Sequence, residues 1–220
     1  MILVCFAVPE EARPFRQEAR SRSEVRVLVT GMGEANARKQ FLVHLNQRRP
    51  SVVLTCGFAG GLRDDLKTGA LVVDADPRLS SLFLAPKFCT GRFATSQQVL
   101  STTDLKRAFF KQTGAAAVEM ESQTIREQCR QAGIPSATLR VILDEATEDL
   151  PMDFQSVMTP SMQISVWKFA KKLASEPKLV PRLIQFSGRV KAAALTLSVG
   201  IAEACDAFLR SPNAQGNIFE

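Results

Sequence analysis

The 220-residue sequence predicts an α/β fold: a mixed, mainly parallel central sheet flanked by helices, with a helical C-terminal extension. Two observations support this prediction. Short apolar runs bounded by turn residues recur at residues 2–8, 25–30, 51–56, 70–75, 115–118 and 137–143. Between most of them lie helix-like stretches, with apolar residues at three- and four-residue spacing, at residues 10–20, 34–48, 103–113 and 119–132. Such alternation is typical of a parallel sheet covered by helices, and the continuously apolar strands indicate burial on both faces.

The chain length favours one domain over residues 1–220, because two full cores would be crowded into it. From Thr159 onward the pattern predicts helices only, interrupted at Pro177 and Pro181. A long final helix is expected from about Ser187 to Arg210. Residues 159–220 therefore form the helical C-terminal part of the predicted domain.

Basic residues in this C-terminal part alternate with apolar ones. They are Lys168, Lys171, Lys172, Lys178, Arg182, Arg189 and Lys191. The pattern suits peripheral contact with an anionic membrane surface, although an ordinary surface helix with extended lysines is the simpler explanation. The apolar run Ala192 to Ala202 is shorter than the ~20 residues that a bilayer requires. No motif indicates nucleic-acid binding.

Composition excludes several kinds of site. The 45% hydrophobic and 23% charged fractions are ordinary for a soluble globular protein. The five cysteines form no CxxC pair and His44 is the single histidine, so a zinc site or a serine–histidine triad lacks its usual residues. The GMGEAN stretch lacks the third glycine of a dinucleotide fingerprint. We expect no metal and no cofactor, with carboxylates supplying acid–base chemistry. The first residues do not resemble a signal peptide, which predicts a cytoplasmic protein.

Acids and glycines collect directly after the predicted strands, where an open parallel sheet binds its ligands. They are Glu10 and Glu11, Gly31 to Gly33, the turn Gly57 to Gly61, Glu119 to Glu121, and Asp144. Each has a structural alternative, since acids at a helix start interact favourably with the helix dipole and glycines make turns. The combination is more informative than any single case.

In this order the segments resemble a known family. CFAVPEEA, VTGMGEANA, LTCGFAGGL, AVEMES and LRVILD are similar to successive motifs of the purine nucleoside phosphorylase and nucleosidase superfamily, especially its methylthioadenosine/S-adenosylhomocysteine nucleosidases. AVEMES, RVILDEATEDLP and the basic tail resemble most closely the hopanoid-associated phosphorylases, which are proposed to remove adenine from adenosylhopane. The resemblance spans roughly residues 2–154. It implies a nucleoside phosphorylase-like fold, a purine nucleoside substrate and a homo-oligomer.

The resemblance also implies roles at the base and the sugar. Asp144 would give a proton to N7 of the departing purine, with a pKa raised by its apolar setting; the alternative is a helix or turn cap. Glu121 would accept hydrogen bonds from the ribose hydroxyls, and Met120 would pack on the sugar or in the core. Because residues two apart do not share a helix face, only one of Glu119 and Glu121 is expected in the site.

Further roles follow for the water and the substrate pocket. Glu11 would position the attacking water with Arg140, whose alternative role is a structural ion pair. Gly60 and Gly61, with Phe58 and Ala59 before them, would form a turn that lets the backbone approach the ligand. Phe154 would lie near the 5′ substituent of the sugar, or in the core.

Two departures from the family pattern bear on activity. Phe58 and Leu143 stand where family members commonly have serine, and the segment 78–93 is shorter than usual. The predicted function is hydrolysis of the N-glycosidic bond of an adenine nucleoside, with a lipid-linked adenosyl substrate as its narrowest form. One alternative is phosphorolysis, with Arg13 and the amides of Gly31 to Gly33 around the phosphate. The other is a purine-binding protein without catalysis.

Overall fold

The computed structural model describes residues 1–159 and 164–211 and has three layers, helices on both faces of one sheet. The strands are β1 Ile2–Phe6, β2 Val25–Val29, β3 Val52–Gly61, β4 Leu71–Ala75, β5 Phe88–Thr90, β6 Phe93–Thr95, β7 Ala117–Glu119 and β8 Ser136–Asp144. The helices are α1 Pro9–Ala19, α2 Glu34–Gln47, α3 Thr103–Thr113, α4 Ser122–Gln131, α5 Val166–Ser175 and α6 Leu179–Arg210. Two short 3₁₀ helices cover Pro77–Phe83 and Phe154–Val157.

The sheet is mixed and mainly parallel, which confirms the predicted fold class. Its strand order is β2-β1-β3-β8-β4-β5, with β7 paired to β3 and β6 paired to β7. Only β3–β7 and β4–β8 are antiparallel among the strand pairs of the described residues. The carboxyl ends of the parallel strands β1, β3 and β8 therefore meet at one edge, as a ligand site requires.

Apolar side chains cover both faces of the sheet. On one face α1 and α6 pack against the strands, with Phe15, Leu197 and Ile201 fully buried among strand residues. On the other face α2 and α4 pack, with Phe41 and Ile125 buried. Because both faces are covered, β1 is buried at all five positions, as its continuous apolar run predicted.

The segment Gly57 to Gly61 is not a turn, as the sequence suggested, but the second half of β3. The register between β3 and β8 shifts between Ala59 and Gly60, and beyond this bulge Gly60 and Gly61 pair with β7. The small residues allow this close approach, since a Cβ on Gly60 would lie 3.2 Å from both Oδ2 of Asp144 and Cγ1 of Val118. The bulge lets β3 contact both β8 and β7 at the edge where the acids lie.

The predicted helix from Glu119 begins three residues later, at Ser122. Glu119 ends β7, and its Oε2 accepts hydrogen bonds from the backbone N–H groups of Glu121 and Ser122 at 2.9 and 2.6 Å. The side chain thus satisfies amide groups at the helix start, so the helix begins after it. Glu119 and Glu121 consequently lie on a strand end and a turn, where helix-face spacing does not apply.

The C-terminal part contains α5 and α6, and an isolated antiparallel bridge joins Met158 to Ile164. The last helix begins at Leu179 instead of Ser187, and Pro181 is its third residue. A proline is tolerated there because the first turn of a helix has no intrahelical hydrogen bond for its missing N–H to make. By length and composition α6 is long and apolar enough to cross a membrane. The sequence analysis considered only the run Ala192 to Ala202 and so underestimated the length of this apolar helix. In the most apolar 18-residue stretch of α6, 56% is buried inside the protein. Packing against α1 and the sheet therefore accounts for the apolar composition of this helix.

Candidate active site

A cavity of about 410 Å³ opens at the carboxyl ends of β1, β3 and β8. It is lined by nine of the ten residues that the sequence assigned to the site: Glu11, Phe58, Ala59, Gly60, Met120, Glu121, Arg140, Asp144 and Phe154. Gly61 lies behind the wall, where a Cβ would come 3.3 Å from the carbonyl oxygen of Asp144. A larger cleft of about 810 Å³ near β6 and α4 contains none of these ten residues. The smaller cavity is therefore the candidate site.

Glu11 links α1 to β3 through a buried carboxylate. Its Oε2 accepts hydrogen bonds from the amides of Ala7 and Val8 at 3.2 and 3.3 Å, which closes the first turn of α1. Its Oε1 accepts from the amide of Phe58 at 2.9 Å. Burial raises the pKa of Glu11, while the charge of Arg140 and the three amide donors oppose that rise. The carboxyl group thus has a capping role and also faces the cavity.

Arg140 is the one cation among the carboxylates on this side of the cavity, within the described residues. Its Nη2 lies 2.7 Å from Oε2 of Glu119 and 3.8 Å from Oε2 of Glu121. A Cβ on Gly57 would collide with Nη1 of Arg140 and lie 2.7 Å from Oε1 of Glu11, so glycine leaves room for both side chains. The structure therefore contains the ion pair that the sequence left as the alternative role of Arg140, and its partner is Glu119.

Glu119 and Glu121 both approach Arg140, so the expectation that only one of them would lie at the site was wrong. Glu119 is saturated, because Thr95 donates to its Oε1 at 2.8 Å and Arg140 and two amides donate to its Oε2. Burial would raise the pKa of Glu119, but Arg140 and these hydrogen bonds bring it below its ordinary value. Glu121 accepts from the amide of Gly33 at 3.0 Å and lines the cavity.

Burial raises the pKa of Glu121 to about 7, with Glu119 and Glu11 adding to the rise and Arg140 and Gly33 opposing it. Between its ordinary value of 4.5 and about 7, the folded protein therefore binds more protons at Glu121 than the unfolded chain does. We expect the free energy of unfolding to fall as the pH rises through this window. Urea unfolding at a series of pH values measures it.

The variant Glu121→Gln is the control for this pH dependence. Its amide does not titrate, so the decline across the window should become shallower, and at pH 8 the variant should equal or exceed the wild type in stability. Glu11 contributes in the same direction, because its pKa is raised as well. An unchanged slope in Glu121→Gln would contradict the assignment of this titration to Glu121.

Asp144 ends β8 with its side chain at the cavity wall, and it is paired with a lysine that the sequence analysis missed. Nζ of Lys106, on α3, lies 2.5 Å from Oδ2 of Asp144. Burial raises the pKa of Asp144, while the Lys106 charge opposes this rise. Burial thus acts on this pKa in the direction that the sequence analysis expected. No helix begins at Asp144, although a turn follows at Ala146 and Thr147.

The remaining wall of the cavity is mainly apolar. Phe58 and Leu143, which replace the family serines, are half-buried, pack against the main core and line the cavity. Phe154 lies in the second 3₁₀ helix, with its ring centroid 5.7 Å from that of Phe186 on α6. Met120 lines the wall beside Glu121. Met32 and Phe186 are among the lining residues that were not predicted as site residues.

Sequence signals existed for some of the missed residues. Lys106 is the only fully buried residue of α3, three positions before the half-buried Phe109. A charge at an inward position of an amphipathic helix requires a buried partner, so this lysine could have been selected. Met32 lies between the glycines after β2, at a strand end already identified. Phe186 carries no such signal, because its place follows from the packing of α6.

Comparisons with known proteins agree with this geometry. A family profile described as "Phosphorylase superfamily" matches residues 73–171. An aminodeoxyfutalosine nucleosidase of Helicobacter pylori is 33% identical over 86 residues, which are 39% of this chain and 37% of that protein. A 5′-methylthioadenosine/S-adenosylhomocysteine nucleosidase of Staphylococcus aureus is 24% identical, over 61% of this chain and 75% of its own length. The chain thus spans little more than a third of the first relative and three quarters of the second.

Solved structures give the same fold over more of the chain. A futalosine hydrolase of Helicobacter pylori superimposes with a TM-score of 0.69 at 18% identity, covering 93% of this chain and 97% of that one. A 5′-methylthioadenosine/S-adenosylhomocysteine nucleosidase of Campylobacter jejuni gives 0.69 at 16% identity, covering 93% and 98%. These likenesses show that the chain has the fold of these nucleosidases, and the Phosphorylase superfamily profile matches its residues 73–171.

Proposed function

We propose that this protein hydrolyses the N-glycosidic bond of an adenine nucleoside. The observation that supports it most directly is one cavity lined by two separate carboxyl systems. Asp144 with Lys106 lies at the end of β8, and Glu11, Glu119 and Glu121 surround Arg140. Cleavage of this bond needs a proton for the departing base and negative charge beside a ribosyl group that becomes cation-like. The two systems can supply one requirement each.

In this mechanism Asp144 gives its proton to a ring nitrogen of adenine as the C1′–N9 bond breaks. Its raised pKa favours the protonated form that the step requires. Glu121 accepts hydrogen bonds from the ribose hydroxyls, with Met120 against the sugar. Glu11, which lines the cavity, orients the water that attacks C1′. These roles follow the family resemblance and fit the positions of the side chains.

Water suits the site better than phosphate as the nucleophile. A phosphate would need free amides or cations, and the amides of Gly33 and Phe58 already donate to Glu121 and Glu11. Arg13 is exposed and does not line the cavity. Arg140 is engaged by Glu119. A further anion would therefore be placed among carboxylates, which is unfavourable.

A nucleoside screen with adenine release as the readout tests the proposal. Methylthioadenosine, S-adenosylhomocysteine, aminodeoxyfutalosine and a lipid-like adenosyl analogue are offered with and without phosphate. We expect adenine release that does not depend on phosphate. Strict phosphate dependence would establish phosphorolysis instead. Adenine binding without turnover of any substrate would establish the purine-binding alternative. The observation that favours this alternative is the presence of Phe58 and Leu143 where family members commonly have serine.

A lipid-linked adenosyl substrate is the narrower form of this proposal, and exposed apolar side chains beside the cavity support it. Val166 and Trp167 on α5 are 81% and 80% exposed, and Ile184 on α6 is 68% exposed. Ile164, which is half exposed, lines the cavity and lies two residues before the start of α5. Lys171 on α5, Arg182 on α6 and Lys178 between the two helices are exposed. An apolar and basic surface beside the cavity suits the interface of an anionic membrane.

Sedimentation with phosphatidylglycerol-containing vesicles tests this surface. We expect binding at low salt that weakens at high salt, and a several-fold loss in Trp167→Glu, because a charge replaces an apolar anchor. Leu84→Glu is the matched control, an equally exposed leucine outside these helices, 79% exposed. Wild-type protein that does not sediment with anionic vesicles would end the membrane proposal. The cytoplasmic location, the homo-oligomer and the hopanoid branch stay predictions.

A further inference from the structure

Lys106 is a lysine with a side chain only 1% exposed, a rare position for this residue. Its Nζ lies 2.5 Å from Oδ2 of Asp144 and donates to the carbonyl oxygens of Glu145 and Glu148 at 2.6 and 2.7 Å. An ammonium group has three N–H donors, so each has an acceptor here. Both carbonyls belong to the segment that directly follows Asp144. One side chain of α3 therefore fixes the end of β8 and the loop beyond it.

This arrangement gives the two carboxyl oxygens of Asp144 different surroundings. The ammonium occupies Oδ2, while the carboxyl group as a whole lines the cavity. Oδ1 is consequently the oxygen left to meet a bound base. Gly60 leaves room for Oδ2, since a Cβ at this position would lie only 3.2 Å from it. The lysine thus selects one orientation of the acid.

We propose that Lys106 is a positioning residue that directs Oδ1 of Asp144 toward the departing base and stabilises the carboxylate formed when the proton has left. The inference rests on the proposed function. In the step concerned, the O–H bond at Oδ1 breaks and an N–H bond forms on the purine. The electron pair of the C1′–N9 bond goes to the purine ring, water adds to C1′, and the carboxylate of Glu11 accepts the proton that this water loses. The new negative charge on Asp144 then lies against a fixed ammonium group, which needs no rearrangement to receive it.

Other charges near Asp144 do not replace this one. Glu148 and Arg189 act on it from the following loop and from α6, with opposite signs, and Nη1 of Arg189 lies 2.5 Å from Oε1 of Glu148. These two charges largely cancel at Asp144 because they are paired with each other. Lys106 is the cation in direct contact with the acid among the described residues. Its removal should therefore change the acid strength of Asp144.

The test compares Lys106→Met and Lys106→Gln with wild type, using the pH profile of kcat for adenine release. Without the ammonium the pKa of Asp144 rises, so the limb on which kcat falls with increasing pH should move to higher pH in both variants. We expect kcat at the optimum to fall about 10- to 100-fold, a part of what a general acid contributes, with KM little changed. Lys111→Met, an exposed lysine on the same helix, is the control and should match wild type.

A double-mutant cycle separates positioning through Asp144 from a structural role in the loop. In an Asp144→Asn background, Lys106→Gln should cause little further loss, because the group it acts on is gone. The inference would be overturned if the losses in kcat of the two single variants multiplied in the double variant, or if the high-pH limb of the kcat profile did not move. Lys106 would then serve only to hold the loop after β8 in place. Lys106→Gln retains donors for the carbonyls, so a folded variant is available if Lys106→Met unfolds. Absence of adenine release from wild type would overturn the proposed function, and this inference with it.

Discussion

Replacing Asp144 by asparagine is expected to lower kcat for adenine release by about 10²- to 10⁴-fold, the usual contribution of a general acid. An amide keeps the size and hydrogen-bonding capacity of the side chain but has no proton to give at this step. Adenine should therefore still bind, with an affinity within a few-fold of wild type. Lys106 keeps its two carbonyl acceptors in the variant, so the loop after β8 should remain in place. Steady-state kinetics and calorimetry with adenine measure the two effects.

Asp64→Asn provides the matched control, because Asp64 is exposed and lies outside the cavity. Its kinetics should equal those of wild type. Two outcomes would contradict the role of Asp144. One is a variant that turns over within a few-fold of wild type, which would place the proton donor elsewhere. The other is a variant that loses adenine binding and turnover together, which would make Asp144 a binding group whose proton does not limit the reaction.

The sequence could bring the candidate catalytic residues to one edge of the sheet because they follow strands, and strand ends are determined by local apolar runs. Glu11, Glu121 and Asp144 come together for that reason. The position of Glu119 beside Arg140 could not be predicted from the local sequence. Its carboxylate accepts from two amides of its own turn and from Arg140, which lies 21 residues later. A periodicity argument treats Glu119 and Glu121 as members of one helix and so assigns them opposite faces.

The role of β3 illustrates a second limit of sequence patterns. A run of glycines after an apolar strand ordinarily predicts a turn, since glycine weakens a strand and favours loops. Here the chain continues in the sheet because β7 and β8 offer backbone partners on both sides. The glycines admit Asp144 and Arg140 instead of reversing the chain. Strand pairing between distant segments is a tertiary property that a local pattern does not contain.

Arg140→Met is the substitution expected to cost the most stability, about 3–5 kcal/mol at neutral pH. Arg140 is buried between Glu119 and Glu121, with Glu11 nearby. Without the guanidinium, these carboxyl groups remain buried and uncompensated. Methionine fills a similar volume, so the loss should come mainly from charge and hydrogen bonding. Urea unfolding at neutral and acidic pH measures the loss of stability.

The pH dependence of this loss separates charge from packing. Glu119 has a lowered pKa in the folded protein, and Arg140 is a principal cause, so it stays ionised at neutral pH. When Arg140 is absent, protonation of the carboxyl groups removes their mutual repulsion, and the variant should recover most of its deficit as the pH falls. Arg130→Met removes an exposed ion pair with Glu127 and should cost only about 0–1 kcal/mol. A deficit in Arg140→Met that stays constant with pH would mean that Arg140 stabilises the site by packing, and that the surrounding acids do not need its charge.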